Sequence, residues 1–120
     1  MNFRHVTLTV KDLDASIHFY TEIVGLPVDR RYQPGLDTEI AFLGTGKTKV
    51  ELICHRNQPD AIVGNAVSIG FEVEDILEKF ESFKGTDISV VSDIIQPNQH
   101  VRFFFVADPD GFRVQFLESL

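Results

Sequence analysis

Two residues of this chain have side chains suited to catalysis or metal binding. Glu51 lies between Val50 and Leu52 in an apolar run, and His5 begins an alternating segment near the N-terminus. A carboxylate is costly to bury among apolar residues unless it is ion-paired, hydrogen-bonded or bound to a metal. If no metal binds it, Glu51 could serve as a general base on an acidic C–H group. His5 could be a metal ligand or a hydrogen-bonded histidine of a pocket.

These residues belong to a sequence repeat. At an offset of 63 residues, HVTLTVKDL at 5–13 aligns with SIGFEVEDI at 68–76. The match returns at 40–43 with 103–106 and, after one extra residue, at 49–53 with 113–117. Each copy reads as a strand, a helix and three further strands. The sequence therefore predicts an α+β fold of two tandem βαβββ modules, whose curved sheets surround a cavity.

Local signals place the elements of the first copy. Asp12 is a suitable N-cap for a helix that continues to about Val24, and Gly25 fits the left-handed position after the helix. The strands predicted after it are Val28–Tyr32, Glu39–Leu43 and Lys49–Cys54, separated by the turn signals Pro34-Gly35 and Gly44-Thr45-Gly46. In the second copy, the predicted strands are Ser89–Ile95, Val101–Val106 and Phe112–Leu117, with a tight turn at Asp108-Pro109-Asp110-Gly111.

Strand alternation puts a second, polar set of side chains on the faces that point away from the helices. In the first copy this set includes His5, Thr7 and Glu51. In the second copy, Ser68 stands where the first has His5, and Gln115 stands where it has Glu51. We expect these side chains to line the cavity and to contact a ligand.

Two further residues have functional and structural interpretations. Arg102 precedes Phe103–Val106 and could bind a carboxylate or phosphate of a ligand, whereas a surface arginine at a strand end is the simpler interpretation. Cys54 has the parity of Val50 and Leu52, which predicts a buried thiol rather than a nucleophile.

Composition limits the classes of protein and partner. The 120 residues suit a single domain at 1–120, with module one at 1–54, a linker at 55–65 and module two at 66–120. The 18 acidic and 11 basic residues give a net charge of −7, which repels nucleic acid. We expect no membrane segment, because no apolar run approaches the roughly 20 residues that a span needs. A single cysteine cannot form an internal disulfide, which favours a cytoplasmic location.

The chain resembles the vicinal oxygen chelate superfamily, which includes glyoxalase I, extradiol dioxygenases and bleomycin resistance proteins. The resemblance covers essentially the whole chain. It rests on His5, the segment Asp12-Leu13…Ser16…Phe19-Tyr20…Gly25-Leu26, Val50-Glu51-Leu52, and Asp108-Pro109-Asp110-Gly111. It implies paired βαβββ modules, a homodimer and a small-molecule ligand, but little about the reaction, because members of this fold run unrelated chemistries.

The resemblance is greatest to small glyoxalase-I-like proteins, and it implies a metal-binding set at four positions: His5, Glu51, Ser68 and Gln115. Here only His5 and Glu51 are strong donors, Gln115 could add a carbonyl oxygen, and Ser68 would be a poor ligand. Catalytic zinc sites usually have three protein ligands. We therefore expect a small-molecule-binding protein with an incomplete metal site. The alternative is a glyoxalase-I-like lyase or isomerase that acts on a vicinal-oxygen substrate with Zn, Ni, Co, Fe or Mn, and in which Glu51 moves a proton.

Overall fold

The computed structural model describes residues 1–58 and 60–120, in two compact units, Met1–Ile62 and Val63–Leu120. The predicted linker at 55–65 includes Pro59, which lies outside the described residues. His55, the first residue of the predicted linker, is the last residue of a strand. We describe each unit separately.

The first unit contains one helix and a four-stranded sheet. Its elements are β1 (His5–Thr9), α1 (Leu13–His18) with a π-helical turn (Phe19–Ile23), β2 (Val28–Gly35), β3 (Thr38–Leu43) and β4 (Lys49–His55). The strand order is β1-β4-β3-β2, and β1 is parallel to β4 whereas the other pairs are antiparallel. The helix α1 packs on β3 and β4, and the buried Leu8, Val50 and Leu52 confirm the predicted alternation.

The first helix begins and ends where its sequence predicts. The Asp12 side chain accepts a hydrogen bond from Ala15 N at 3.1 Å, as an N-cap does. The last turn widens to a π-helix, in which Gly25 N donates to Tyr20 O at 3.1 Å. Gly25 then has φ +95°, which confirms the predicted left-handed position.

The turn between β2 and β3 lies two residues later than predicted. Pro34 and Gly35 belong to β2, and Leu36 with Asp37 forms the turn. Pro34 is tolerated because β2 is an edge strand, where a missing N–H breaks no ladder. Asp37 is held by Arg56 N, which donates to its carbonyl at 2.8 Å, and by the Asn57 side chain, which donates to its carboxylate at 2.7 Å. These non-local bonds determine the turn position.

The second unit repeats this arrangement with one strand divided. Its elements are β5 (Ser68–Glu72), α2 (Ile76–Glu81), β6 (Ser89–Val90), β7 (Ile95–Asn98), β8 (Val101–Ala107) and β9 (Arg113–Ser119). The sheet order is β5-β9-β8-β6, β7 also pairs with β8, and β5 is parallel to β9. The predicted strand Ser89–Ile95 is two strands because the Ser92 hydroxyl, and not a backbone carbonyl, accepts from Phe105 N at 3.0 Å.

Phenylalanine rings fill the core of the second unit. Phe104 and Phe116 are fully buried, and their ring centroids are 5.6 Å apart. Phe80 from α2 meets Phe104 edge-on at 5.1 Å, which is a favourable aromatic geometry. In residues 1–58 and 60–120, no helix is long and apolar enough to span a membrane.

Gly25→Ala is expected to lower the free energy of unfolding by about 1–2 kcal/mol, because a Cβ is strained at a left-handed backbone conformation. Gly35→Ala is the matched control: its φ lies outside the positive range and a Cβ there meets nothing within 4 Å. Urea titration of both variants checks this prediction, and equal stability of the two variants would contradict it.

Candidate functional site

The pairing of β1 with β4 brings two predicted site residues together. Thr7 is the register partner of Glu51, so both side chains lie on the same face of the sheet. The Thr7 hydroxyl donates a hydrogen bond of 2.6 Å to Glu51 Oε1. This is the face opposite Leu8 and Leu52, which are buried in the core. Glu51 is therefore held by a hydroxyl beside the core of the first unit.

His5 approaches the same carboxylate oxygen. Its Nε2 is 3.6 Å from Glu51 Oε1, a distance that allows an ion pair whenever the imidazole is protonated. The Glu51 side chain is 14% exposed and that of His5 is 43% exposed, so the pair borders solvent. Among the described residues, no donor contacts Glu51 Oε2. One oxygen of this carboxylate remains available to another molecule.

An aromatic and cationic wall extends from this pair across the sheet. Phe42 is the register partner of Glu51 on β3, and Arg30 on β2 is the partner of Phe42. The His5 ring meets Phe42 edge-on at 5.8 Å, and the Arg30 guanidinium lies 4.6 Å from the Phe42 ring centroid. Tyr32 stacks on Phe42 at 6.4 Å. Carboxylate, imidazole, aromatic rings and guanidinium thus share one face.

The predicted site did not include Phe42, Arg30 or Tyr32. A signal for them was present, because Arg30 and Tyr32 alternate with Arg31 in a predicted strand. Alternation assigns a residue to one of two faces, but only the strand order shows that β2 and β3 extend the face that carries Glu51.

The second unit carries the corresponding row with different chemistry. Gly70, Gln115 and Phe105 are register partners on β5, β9 and β8. Ser68 is exposed and pairs with Arg113, whose guanidinium lies 5.9 Å from the Phe105 ring centroid. Here a neutral amide replaces the carboxylate, and a glycine replaces the threonine that holds it.

Arg102 lies on the other face of its sheet. It shares the parity of the buried Phe104, and its register partner is Glu118. Its guanidinium binds both oxygens of that carboxylate, at 3.1 and 3.2 Å. Glu118 also accepts a hydrogen bond from Ile76 N at the start of α2. This arginine thus joins the last strand to a helix end.

Cys54 is partly buried beside the end of β1. Its Sγ donates to Lys11 O at 3.4 Å, and burial raises the pKa of the thiol, so it stays protonated at neutral pH. A protonated thiol is a weak nucleophile, as the sequence pattern suggested.

The strong donors described within one unit are too few to complete a divalent-metal site. Within the part of the chain that the structure describes, His, Cys, Asp and Glu side chains form no group of three or more that could hold a metal ion. His5 and Glu51 supply two strong donors, and one oxygen of Glu51 already accepts from Thr7. Catalytic zinc sites usually take three protein ligands, and a hydroxyl or amide is a poor replacement for a His or Glu.

Comparison with known proteins identifies the class to which this fold and site belong. A profile of the Glyoxalase/Bleomycin resistance protein/Dioxygenase superfamily matches residues 2–116. The chain therefore belongs to this superfamily, as its motifs predicted.

Curated relatives and solved structures agree with this assignment. A lactoylglutathione lyase of Neisseria meningitidis is 33% identical over 128 aligned residues, which cover 99% of this chain and 91% of the relative. An uncharacterised protein of Bacillus subtilis, YwbC, is 28% identical over 95% of this chain and 94% of its own length. The trypanothione-dependent glyoxalase I of Leishmania major superposes with a TM-score of 0.82 at 30% identity, over 98% of this chain and 86% of that one. A glyoxalase family protein from Bacillus cereus has a TM-score of 0.83 at 22% identity, over 98% and 93%, and shows the fold alone.

Thr7→Val should lower the free energy of unfolding by about 1–3 kcal/mol, because it keeps the shape of the side chain but removes the donor to a mostly buried carboxylate. Thr7→Ser keeps the hydroxyl and serves as the control. Chemical denaturation at neutral pH measures both variants. If the valine variant is as stable as the serine variant, the Thr7–Glu51 hydrogen bond does not hold the carboxylate.

Proposed function

We propose that this protein binds a small organic molecule on the exposed sheet face of its first unit, without a resident metal ion. The observation that carries the proposal is that the protein contacts only one of the two carboxylate oxygens of Glu51 among the described residues. Thr7 and His5 both approach Oε1, and no described donor contacts Oε2. A carboxylate oxygen without a protein donor is a strong acceptor for a ligand N–H or O–H group.

The surroundings of Glu51 suggest the rest of the ligand. Phe42 and Tyr32 offer stacked rings, and Arg30 lies over both of them, at 4.6 and 5.5 Å from their centroids. Aromatic faces suit a planar group, and a guanidinium suits an acidic one. We therefore propose a planar or cyclic ligand with an acidic group and a hydrogen-bond donor. Ser68 and Gln115 are proposed as further ligand contacts, and Arg102 is left out because Glu118 already binds it.

A second candidate is a lyase or isomerase of the glyoxalase type. The relatives named lactoylglutathione lyase favour it, at 28–33% identity over nearly the whole chain. In that reaction, Glu51 would take a proton from an acidic C–H of the substrate. Two of the four positions at which the resemblance implies metal ligands weigh against it, because Ser68 is a poor ligand and Gln115 offers only a neutral carbonyl oxygen.

One experiment separates the two candidates. Protein purified without added metal is measured by elemental analysis and then titrated, in the presence of a chelator, with S-lactoylglutathione and a set of aromatic carboxylates. We expect well below one metal ion per chain, and binding of a probe that survives the chelator. Glu51→Gln should weaken that binding about tenfold, since it removes a charge-assisted hydrogen bond.

The control is Glu22→Gln, which makes the same chemical change at a residue of the first unit outside this face. Stoichiometric metal that is lost in His5→Ala, together with metal-dependent formation of S-lactoylglutathione, would establish the lyase instead.

We also propose that the protein is a homodimer. All eight residues of the edge strand β2 are exposed. Within it Tyr32 is 42% exposed, and Leu36, the residue after the strand, is 87% exposed. Such an edge is open to contact with a second chain. Sedimentation velocity at micromolar concentration should give the mass of two chains, and Leu36→Lys should shift the distribution toward one. A monomer at all concentrations would contradict this proposal.

A further inference from the structure

We infer that Gly70 is a positioning residue for Gln115: the missing side chain at Gly70 lets the Gln115 carboxamide lie flat across β5, where it presents an uncharged hydrogen-bonding group to a ligand. The inference rests on the proposed function, in which Gln115 contacts the ligand.

The space above Gly70 is already occupied by Gln115. A Cβ built on Gly70 would lie 3.0 Å from Gln115 Oε1 and 3.2 Å from Leu117 Cδ2. Both distances are shorter than ordinary van der Waals contact, which begins near 3.4 Å. A side chain at position 70 would therefore require the Gln115 carboxamide and the Leu117 methyl group to move by a few tenths of an ångström.

The backbone does not explain the glycine. The positive φ values in the described residues belong to Gly25, Gly44, Gly85 and Gly111, and not to Gly70. Gly70 lies in the regular ladder of β5, opposite Gln115. A glycine weakens a strand interior, because it has no side chain to pack and loses more conformational freedom on folding. The requirement at this position is space for Gln115.

The first unit holds its polar group in a different way. Thr7 stands at the position that corresponds to Gly70, and it orients Glu51 through a hydrogen bond of 2.6 Å. A carboxylate only accepts hydrogen bonds, so a hydroxyl beside it is favourable. A carboxamide both donates and accepts, and when it lies against the strand its polar groups remain available to a ligand. The second unit thus offers a ligand a donor and an acceptor that carry no charge.

The two contacts allow a clean test, because both close atoms are the far ends of flexible side chains. Gly70→Ala should fold, with the Gln115 carboxamide displaced. The matched control is Gly64→Ala, since a Cβ on Gly64 meets nothing within 4 Å and its φ is not positive. Thermal unfolding should give closely similar midpoints for the two variants.

The first measurement needs no ligand. In a ¹H–¹⁵N spectrum, the side-chain NH₂ signals of Gln115 are assigned by their loss in Gln115→Ala. We expect a nuclear Overhauser contact between this NH₂ group and the Gly70 Hα atoms, and a shift of the signals in Gly70→Ala but not in Gly64→Ala. Unchanged signals in Gly70→Ala, or an equal shift in Gly64→Ala, would overturn the inference even if the protein binds a ligand.

The second measurement is a double-mutant cycle with S-lactoylglutathione as the probe. Gly70→Ala should weaken binding about 3- to 10-fold, the effect of one misplaced hydrogen bond. The same substitution should have no further effect in a Gln115→Ala background. A loss that persists in that background would mean that Gly70 acts through Leu117, and would overturn the inference. If the probe binds none of these proteins, the proposal that this probe is a ligand fails, and the spectrum alone decides the role of Gly70.

Discussion

Parallel pairing of the first and last strands of each unit is the constraint on which the rest of this structure depends. Parallel neighbours cannot be joined by a tight hairpin, so the chain needs a crossover of about a dozen or more residues before it returns. In the first unit α1, β2 and β3 form this crossover between β1 and β4, and their counterparts form it between β5 and β9. The register of the pairing then places Glu51 beside Thr7. A slip of one residue would turn Glu51 into the core and unpair it.

A carboxylate in that position shapes its surroundings. Glu51 is mostly shielded from water, so an unpaired charge there would be destabilising. Thr7 supplies a short hydrogen bond, and His5 lies close enough to add a charge. Both side chains approach Oε1 of Glu51, so Oε2 is left for a donor from another molecule. The contacts that stabilise Glu51 and its proposed contact with a ligand thus use separate oxygen atoms of the same carboxylate.

The two units show how one scaffold supports two kinds of polar site. Both have a row of register partners that includes a phenylalanine, Phe42 in the first unit and Phe105 in the second. The first holds a carboxylate through a hydroxyl, and the second makes room for an amide with a glycine. Members of a fold family differ in this way because the backbone tolerates such exchanges on its open faces, so the family alone does not define the chemistry.

Local features of this protein were readable from its sequence, because they depend on neighbouring residues. Asp12 caps the helix that follows it, Gly25 ends that helix in a left-handed conformation, and alternation separates Leu52 from Glu51. The repeat also revealed that a neutral residue stands at 115 where the first copy has a carboxylate.

Tertiary structure decided the features that depend on distant partners. The turn at Leu36 and Asp37 follows from bonds to Arg56 and Asn57, and Arg102 is bound by Glu118 on the neighbouring strand. Arg30 meets Phe42 only because β2 lies beside β3 in this register. Sequence alternation assigns a side chain to one of two faces, whereas strand order and register, which arise from hydrogen bonds between distant segments, determine its neighbours on that face.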